Sequence, residues 1–216
     1  GLPSSWSAAM DALAAGRSFD PHDQGLKYLG PVEDNFRRLF VVSAGNTPPE
    51  ALRPDHLGVS DAQVVQDPAH AWNVLTVGAF TDKAVLRDSD LDDWRPVAER
   101  GELSPWSTTS VGFEPAWPNK PEVVFEGGNL ICNASGEVDF HGDDLVLLTT
   151  SHTPAEAPLV TMEATSAAAA QAARFCATIA GEYPSYWPET IRALVVHSAE
   201  WTKPMRQRMD EASGRK

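Results

Sequence analysis

Short apolar runs alternate with longer polar connections along this chain. Two of these runs, 39–43 and 73–80, have the length of a single strand, and 39–43 is rich in β-branched residues. Apolar runs of this kind are typical of strands that are buried on both faces, as in a parallel sheet. A third short strand is predicted at 120–128, which ends in a glycine turn. The connections 18–34, 50–67 and 83–101 are rich in charged and turn-forming residues, so we predict that they lie at the surface.

Two further apolar runs, 130–132 and 144–149, flank the polar segment 133–143. Runs separated by a polar loop can pair as an antiparallel hairpin. These two runs are therefore candidates for such a hairpin between the third strand and the helix that follows.

The strongest helix signal is an alanine-rich segment that follows Thr165 and Ser166. Serine is a preferred N-cap residue and alanine is the best helix former. We therefore predict a helix that begins at or near Ser166 and ends at Gly181, which supplies the stop signal. Cys176 lies inside this run and is expected to be a small buried residue.

Two more helices are predicted from their start and stop signals. One covers residues 8–16 and ends at a glycine, and the other covers 189–199 and begins after Pro188. The charged segment 203–216 is expected to fray or to continue as helix. Because buried strands alternate with helices, the pattern indicates an α/β protein with a mostly parallel sheet.

Composition narrows the possible functions. The chain has 216 residues, enough for one domain with a substantial core. Its net charge of −13 argues against a nucleic-acid-binding surface and against binding to anionic lipid. No segment is long and apolar enough to cross a membrane, which leads us to expect a soluble protein.

Metal ions and other cofactors are not expected. The two cysteines, Cys132 and Cys176, form neither a disulfide framework nor a metal motif. Acidic residues do not occur at the spacing of a calcium-binding loop.

Two residues are candidates for chemistry. A serine at the start of a helix lies near unpaired N–H groups and the positive end of the helix dipole, which favour the negative charge that develops in acyl transfer. Ser166 has this position, although it could also be only a helix cap. Asn46 follows a buried strand and could equally be an ordinary turn residue.

Four short sequence patterns follow one another in a fixed order. They are Ser-Ala-Gly-Asn at 43–46, Pro-Ala at 68–69 with Leu-Thr-Val-Gly-Ala at 75–79, Ser-Pro-Trp-Ser at 104–107 with Lys-Pro-Glu-Val at 120–123 and Gly127, and Thr-Ser-Ala-Ala-Ala at 165–169. The ordered set resembles the catalytic domain of subtilisin-like serine peptidases, the subtilases. The resemblance implies a subtilisin-like three-layer α/β fold that is incomplete at its N-terminal side, with residues 1–202 as the C-terminal portion of the peptidase domain.

The resemblance also implies roles for individual residues. Ser166 would be the nucleophile, and its backbone N–H one donor of the oxyanion hole. The side chain of Asn46 would be the other donor. Gly45 would belong to the wall of the specificity pocket, although it could be simply a turn glycine. The substrate would be a peptide or protein, cleaved through an acyl-enzyme.

This chain departs from the family pattern in its missing acid and base. The triad occurs in the chain order Asp, His, Ser, and neither an Asp motif nor a His motif of the family is present. Of the six histidines, only His152 is a candidate for a substitute base, and the alternative is that it is a solvated loop histidine. Ala164 replaces the glycine that usually precedes the Thr-Ser pair, and Ala170 and Gln171 replace Pro-His.

Three hypotheses follow. In the first, an N-terminal segment or another chain supplies Asp and His, so that this chain alone is inactive and exposes an apolar flank. In the second, the chain is a degenerate, non-catalytic subtilase module used for binding. In the third, it is an unrelated hydrolase that uses Ser166 with His152.

Overall fold

Strand β4 (Leu75–Thr81) is the centre of the main sheet in the computed structural model, which describes residues 4–22, 25–30, 36–113, 116–141 and 143–212. β3 (Val41–Ser43) and β7 (Val123–Glu126) pair with β4 in parallel, and β6 (Glu102–Leu103) pairs with it antiparallel. The expected α/β fold with a mostly parallel sheet is therefore confirmed.

The helices lie before, between and after the strands along the chain. They are α1 (Ser5–Ala14), α2 (His56–Ala62), α3 (Ala164–Glu182), α4 (Pro188–Ser198) and α5 (Lys203–Ala212). The remaining strands are β1 (Phe19–His22), β2 (Gly25–Tyr28), β5 (Trp94–Pro96), β8 (Ile131–Asn133), β9 (Val138–Asp139), β10 (Leu147–Thr150) and β11 (Leu159–Met162). Within the described chain, the predicted charged tail is thus a helix up to Ala212.

The main core lies between the sheet and α3. Small residues on the inner face of α3 allow the helix to approach β4 closely, and α4 packs against the same layer. The cluster consists of Leu75, Val77, Ala79, Val123, Ala168, Ala172, Cys176, Ile191 and Val195. The expected burial of Cys176 is confirmed, whereas Leu194 on α4 is 41% exposed.

α3 begins two residues earlier than its predicted N-cap. Ala164 is its first residue, and the N-cap position is Glu163, whose side chain does not cap the helix. Ser166 therefore lies within the first turn, and the helix continues past Gly181 to Glu182. The alanines after Ser166 indicated the helix correctly, but the bonds that fix its start come from distant segments.

The predicted hairpin between 130–132 and 144–149 is wrong. β8 pairs with β5 and β9, whereas β10 pairs with β11. The prediction failed because each run pairs with another short strand, of two to four residues, that carries little strand signal of its own. Within the predicted surface loop 18–34, β1 and β2 form an antiparallel hairpin, and residues 31–34 lie outside the described chain.

Two histidines in predicted surface connections are in fact buried. His70 is held by the backbone carbonyl of Val65 and lies 3.4 Å from the carboxylate of Asp67. His56, on α2, lies 3.9 Å from the buried carboxylate of Glu102. Burial lowers the pKa of His56.

No helix among the described residues is long and apolar enough to span a membrane. In the same part of the chain, no group of three or more His, Cys, Asp or Glu side chains could hold a metal ion.

Candidate active site

The candidate site lies where β3 ends and α3 begins. Residues 44–46 continue from the carboxyl end of β3, and the backbone of Asn46 forms a bridge to Ser107. The next residue, Thr47, donates its N–H to the carbonyl oxygen of Trp106 at 2.9 Å. The carboxyl edge of a parallel sheet is the usual place for a ligand site in α/β proteins.

Asn46 is tied to the first turn of α3 by two hydrogen bonds to its amide oxygen. The Thr165 hydroxyl donates to Asn46 Oδ1 at 2.6 Å, and the Thr165 backbone N–H donates to the same atom at 3.1 Å. With Oδ1 occupied on both sides, the orientation of the amide is set. Within the described chain, Asn46 Nδ2 has no acceptor and so is available to a ligand.

The first three N–H groups of α3 differ in whether they have a hydrogen-bond acceptor. Ala164 donates to the carbonyl of Gly127 at 2.7 Å, and Thr165 donates to Asn46 as described. The N–H of Ser166 has no acceptor among the residues that the structure describes. The Ser166 side chain is exposed, and its Oγ forms no hydrogen bond to any described residue. The exposed Ser166 hydroxyl therefore lies beside two unpaired donors. One is the N–H of Ser166 itself, and the other is Nδ2 of Asn46, whose Oδ1 accepts hydrogen bonds from the neighbouring Thr165.

Ala164 adopts a backbone conformation that favours glycine. Its φ is +67°, in the left-handed region, which costs an L-residue about 1–2 kcal/mol. Gly127 lies beneath it, and a Cβ on Gly127 would overlap Ala79 and approach the Ala164 carbonyl oxygen to 3.0 Å. The departure from glycine at 164 therefore places strain next to Ser166.

Glu163 precedes this strained residue, and its side chain is turned towards Trp106. Burial raises the pKa of the Glu163 carboxyl to about 7, and the Trp106 indole N–H opposes part of that increase. The alignment falls short of a hydrogen bond, because Glu163 Oε2 and Trp106 Nε1 are both buried without a partner among the described residues. A carboxyl group that changes charge near neutral pH therefore lies three residues before Ser166.

Gly45 has structural reasons for being glycine. Its φ is +102°, and the Gln66 side chain lies where a Cβ would be, with Cγ 2.6 Å from that position. Its carbonyl accepts a hydrogen bond from the Thr165 hydroxyl at 3.2 Å. Contact with a substrate remains a prediction for this residue.

The structure does not bring His152 to Ser166. His152 is exposed and lies in the turn between β10 and β11, whereas Ser166 follows the far end of β11. Four residues of strand separate the turn from Met162, roughly 13 Å at the usual rise. Within the described chain, no histidine or aspartate forms a hydrogen bond to Ser166.

Sequence reasoning missed two residues of this site. Thr165 was treated only as part of a motif, although its hydroxyl fixes Asn46. Glu163 belongs to none of the motifs, and its own residue type does not mark it as buried. Its place between an apolar run and a predicted helix was the only signal in the sequence that its side chain could be shielded from water.

Comparisons with known proteins give the family of the chain and one relative. "Uncharacterized protein y4bN" of Sinorhizobium fredii (strain NBRC 101917 / NGR234) is 26% identical over 97% of this chain and 47% of its own length. The chain thus spans about half of that relative. No solved structure matched the chain. A model of the subtilase family matches residues 1–215, nearly the whole sequence, and the chain therefore belongs to the subtilase family of serine peptidases.

Proposed function

We propose that the full-length protein containing this chain is a serine endopeptidase that works through an acyl-enzyme on Ser166. The observation that carries the proposal is the pair of unpaired donors beside the serine, the Ser166 N–H and Asn46 Nδ2. Thr165 donates two hydrogen bonds to Asn46 Oδ1, so Asn46 Nδ2 points away from Thr165. Two fixed donors near an exposed hydroxyl suit the oxyanion of a tetrahedral intermediate.

The chemistry requires a base that accepts the serine proton. Ser166 Oγ attacks the scissile carbonyl carbon, and the oxyanion receives hydrogen bonds from the two donors. The base takes the hydroxyl proton and delivers it to the leaving amine as the C–N bond breaks. Water then hydrolyses the ester and regenerates the serine.

The base and its orienting acid come from outside this chain in the proposed mechanism. The relative from Sinorhizobium is about twice as long as this chain, which leaves room for an upstream segment of similar size. In the described residues no strand pairs with the second edge of β3, next to Asn46. A strand added there would end beside Ser166, so a segment supplying Asp and His could complete both the sheet and the site. This chain alone is expected to be inactive.

The test is covalent labelling of the full-length protein by a peptidyl phosphonate. We expect labelling that Ser166→Ala abolishes. Asn46→Ala should reduce kcat about 10²–10³-fold, the effect known for such a donor in subtilisin, a member of this family. Ser198→Ala, on α4, is the matched control and should leave labelling unchanged. Labelling that persists in Ser166→Ala would contradict the proposal.

A degenerate binding module is the second candidate. The alanine at φ +67° favours it, because efficient enzymes of this type usually have glycine there. Gln171 favours it as well, because its amide is used to bond the carbonyl oxygens of Glu126 and Ala167. The upstream sequence separates the candidates: Asp and His motifs in a domain-sized segment support the peptidase, and their absence supports the binding module.

A further inference from the structure

Glu163 has an N-cap position but does not act as a cap. Its side chain makes no hydrogen bond to the first turn of α3 and lies instead against Trp106. Its Cβ also lies 3.4 Å from the position that a Cβ on Gly128 would take. The carboxyl oxygen Oε2 and the indole nitrogen of Trp106 are buried and lack hydrogen-bond partners in the described chain.

The contact between Glu163 and Trp106 joins the two segments of the candidate site. The Trp106 backbone holds Thr47, next to Asn46, by a hydrogen bond of 2.9 Å. Glu163 leads directly into Ala164 and the turn that carries Ser166. A change in the charge of Glu163 therefore alters the electrostatic potential near both donors of the proposed oxyanion hole.

We propose that Glu163 is a charge-controlling residue for Ser166: its protonated form permits acylation, and its ionised form opposes it. This inference rests on the proposed function, because it concerns the oxyanion formed at Ser166. Glu163 does not exchange a proton with the substrate. It acts through the electrostatic potential at the start of α3.

The direction of the effect follows from Coulomb's law. Acylation builds a negative charge at the Ser166 N–H and Asn46 Nδ2, close to the positive end of the α3 dipole. The ionised carboxylate of Glu163, three residues before Ser166, makes the electrostatic potential there less positive. It therefore repels the negative charge of the oxyanion. Like charges several ångströms apart near a protein surface repel each other enough to slow such a step about tenfold.

The group changes charge in the useful pH range. Its pKa of about 7 is set by desolvation, with the Trp106 indole opposing. Charged groups on the segments packed around it are Glu126, before Gly128, and Asp144, before Leu145; both already accept hydrogen bonds from backbone N–H groups. The first charged residue on α3 is Arg174, about three turns away from Glu163.

The test is the pH profile of kcat/KM, or of the phosphonate labelling rate, in the full-length protein. Wild type should show an alkaline limb in which the rate falls as Glu163 ionises. Glu163→Gln should lack this limb. The variant should be about tenfold faster than wild type about 1.5 pH units above the midpoint, and equal to it about 1.5 units below.

Trp106→Phe gives an independent check of direction. The ring is kept but the N–H is lost, so the pKa of Glu163 should rise further and the alkaline limb should move to higher pH. As a readout without activity, the Trp106 indole NMR signal should titrate with the same midpoint in wild type and become independent of pH in Glu163→Gln.

The outcomes separate the two proposals. Reactivity that survives Ser166→Ala overturns the proposed function. Reactivity that depends on Ser166 but keeps the same alkaline limb in Glu163→Gln overturns only the role of Glu163. An unchanged limb in Trp106→Phe also counts against that role.

Discussion

At the scale of single residues, the site depends on a threonine that orients an amide. The hydroxyl and N–H of Thr165 both bond Asn46 Oδ1, so the amide cannot turn over without losing both bonds. Thr165 is fully buried, which protects these bonds from competition with water. The donor of the candidate oxyanion hole is therefore positioned before any ligand arrives.

Ala164→Gly should make the full-length protein more stable. Glycine adopts φ +67° without the cost that alanine incurs, and the gain is reduced by the greater freedom of glycine in the unfolded chain. We expect the free energy of unfolding to rise by about 0.5–1 kcal/mol, measured by urea denaturation. Ala173→Gly, at an exposed position within α3, is the control and should lower it by about 1 kcal/mol. A loss of stability in both variants would show that the backbone at 164 is not left-handed.

Ser166, Asn46 and Gly45 could be predicted as candidate site residues from the sequence because the order of short motifs is itself a signal. Thr165 and Glu163 could not be assigned in this way. The role of each depends on a partner far along the chain, Asn46 for one and Trp106 for the other. Which side chains meet at such distances is decided by the packing of the sheet, which local patterns do not specify.

At the scale of elements, a buried ion network links α4 to the main sheet. Glu122 Oε1 accepts hydrogen bonds from Lys120 Nζ at 2.5 Å and Arg192 Nη2 at 2.6 Å, and Oε2 accepts from the Thr76 N–H at 2.8 Å. The Lys120 side chain is fully buried, and desolvation lowers its pKa. The carboxylate of Glu122 therefore offsets the cost of burying the charged ammonium group of Lys120.

Glu122→Gln should destabilise the full-length protein by about 3 kcal/mol, because it leaves the buried Lys120 without a counter-charge. Glu189→Gln is the matched control. Its pair with Arg37, at 2.7 Å, is 49% exposed on the glutamate side, so its loss should cost less than about 1 kcal/mol. Urea denaturation of both variants measures the difference. Equal effects would mean that the buried network does not stabilise the fold.

The elements differ in how far the sequence specified them. The parallel strands and α3 were predicted because apolar runs and alanine content are local properties. The pairing of β8 with β5 and of β10 with β11 was not, because strands of three or four residues have almost no periodicity of their own. The β1–β2 hairpin was hidden by turn-forming residues within its strands.

At the scale of the whole molecule, the main sheet ends at an open edge. β3 is paired with β4 on one side only, as far as the described strands go. Large apolar side chains are also exposed on the surrounding helices and loops; among them are Phe175, Tyr183, Tyr186, Trp187, Leu194 and Trp201. Unpaired strand edges and apolar surface of this kind favour association with another segment.

The isolated chain of 216 residues should therefore differ from the full-length protein in solution. We expect the isolated chain to bind a hydrophobic dye or to self-associate in size-exclusion chromatography. The full-length protein, measured at the same concentration, should be free of dye binding. A monomeric isolated chain that binds no dye would argue against a missing partner segment.

The bond between Thr165 and Asn46 spans 119 positions of the chain. Such a contact forms only after the intervening strands have assembled, because closing so long a loop gains nothing until the sheet is in place. During synthesis, and in any partly unfolded molecule, Ser166 has the low reactivity of an ordinary serine hydroxyl. A nascent chain therefore lacks the candidate site, which forms only when folding is complete.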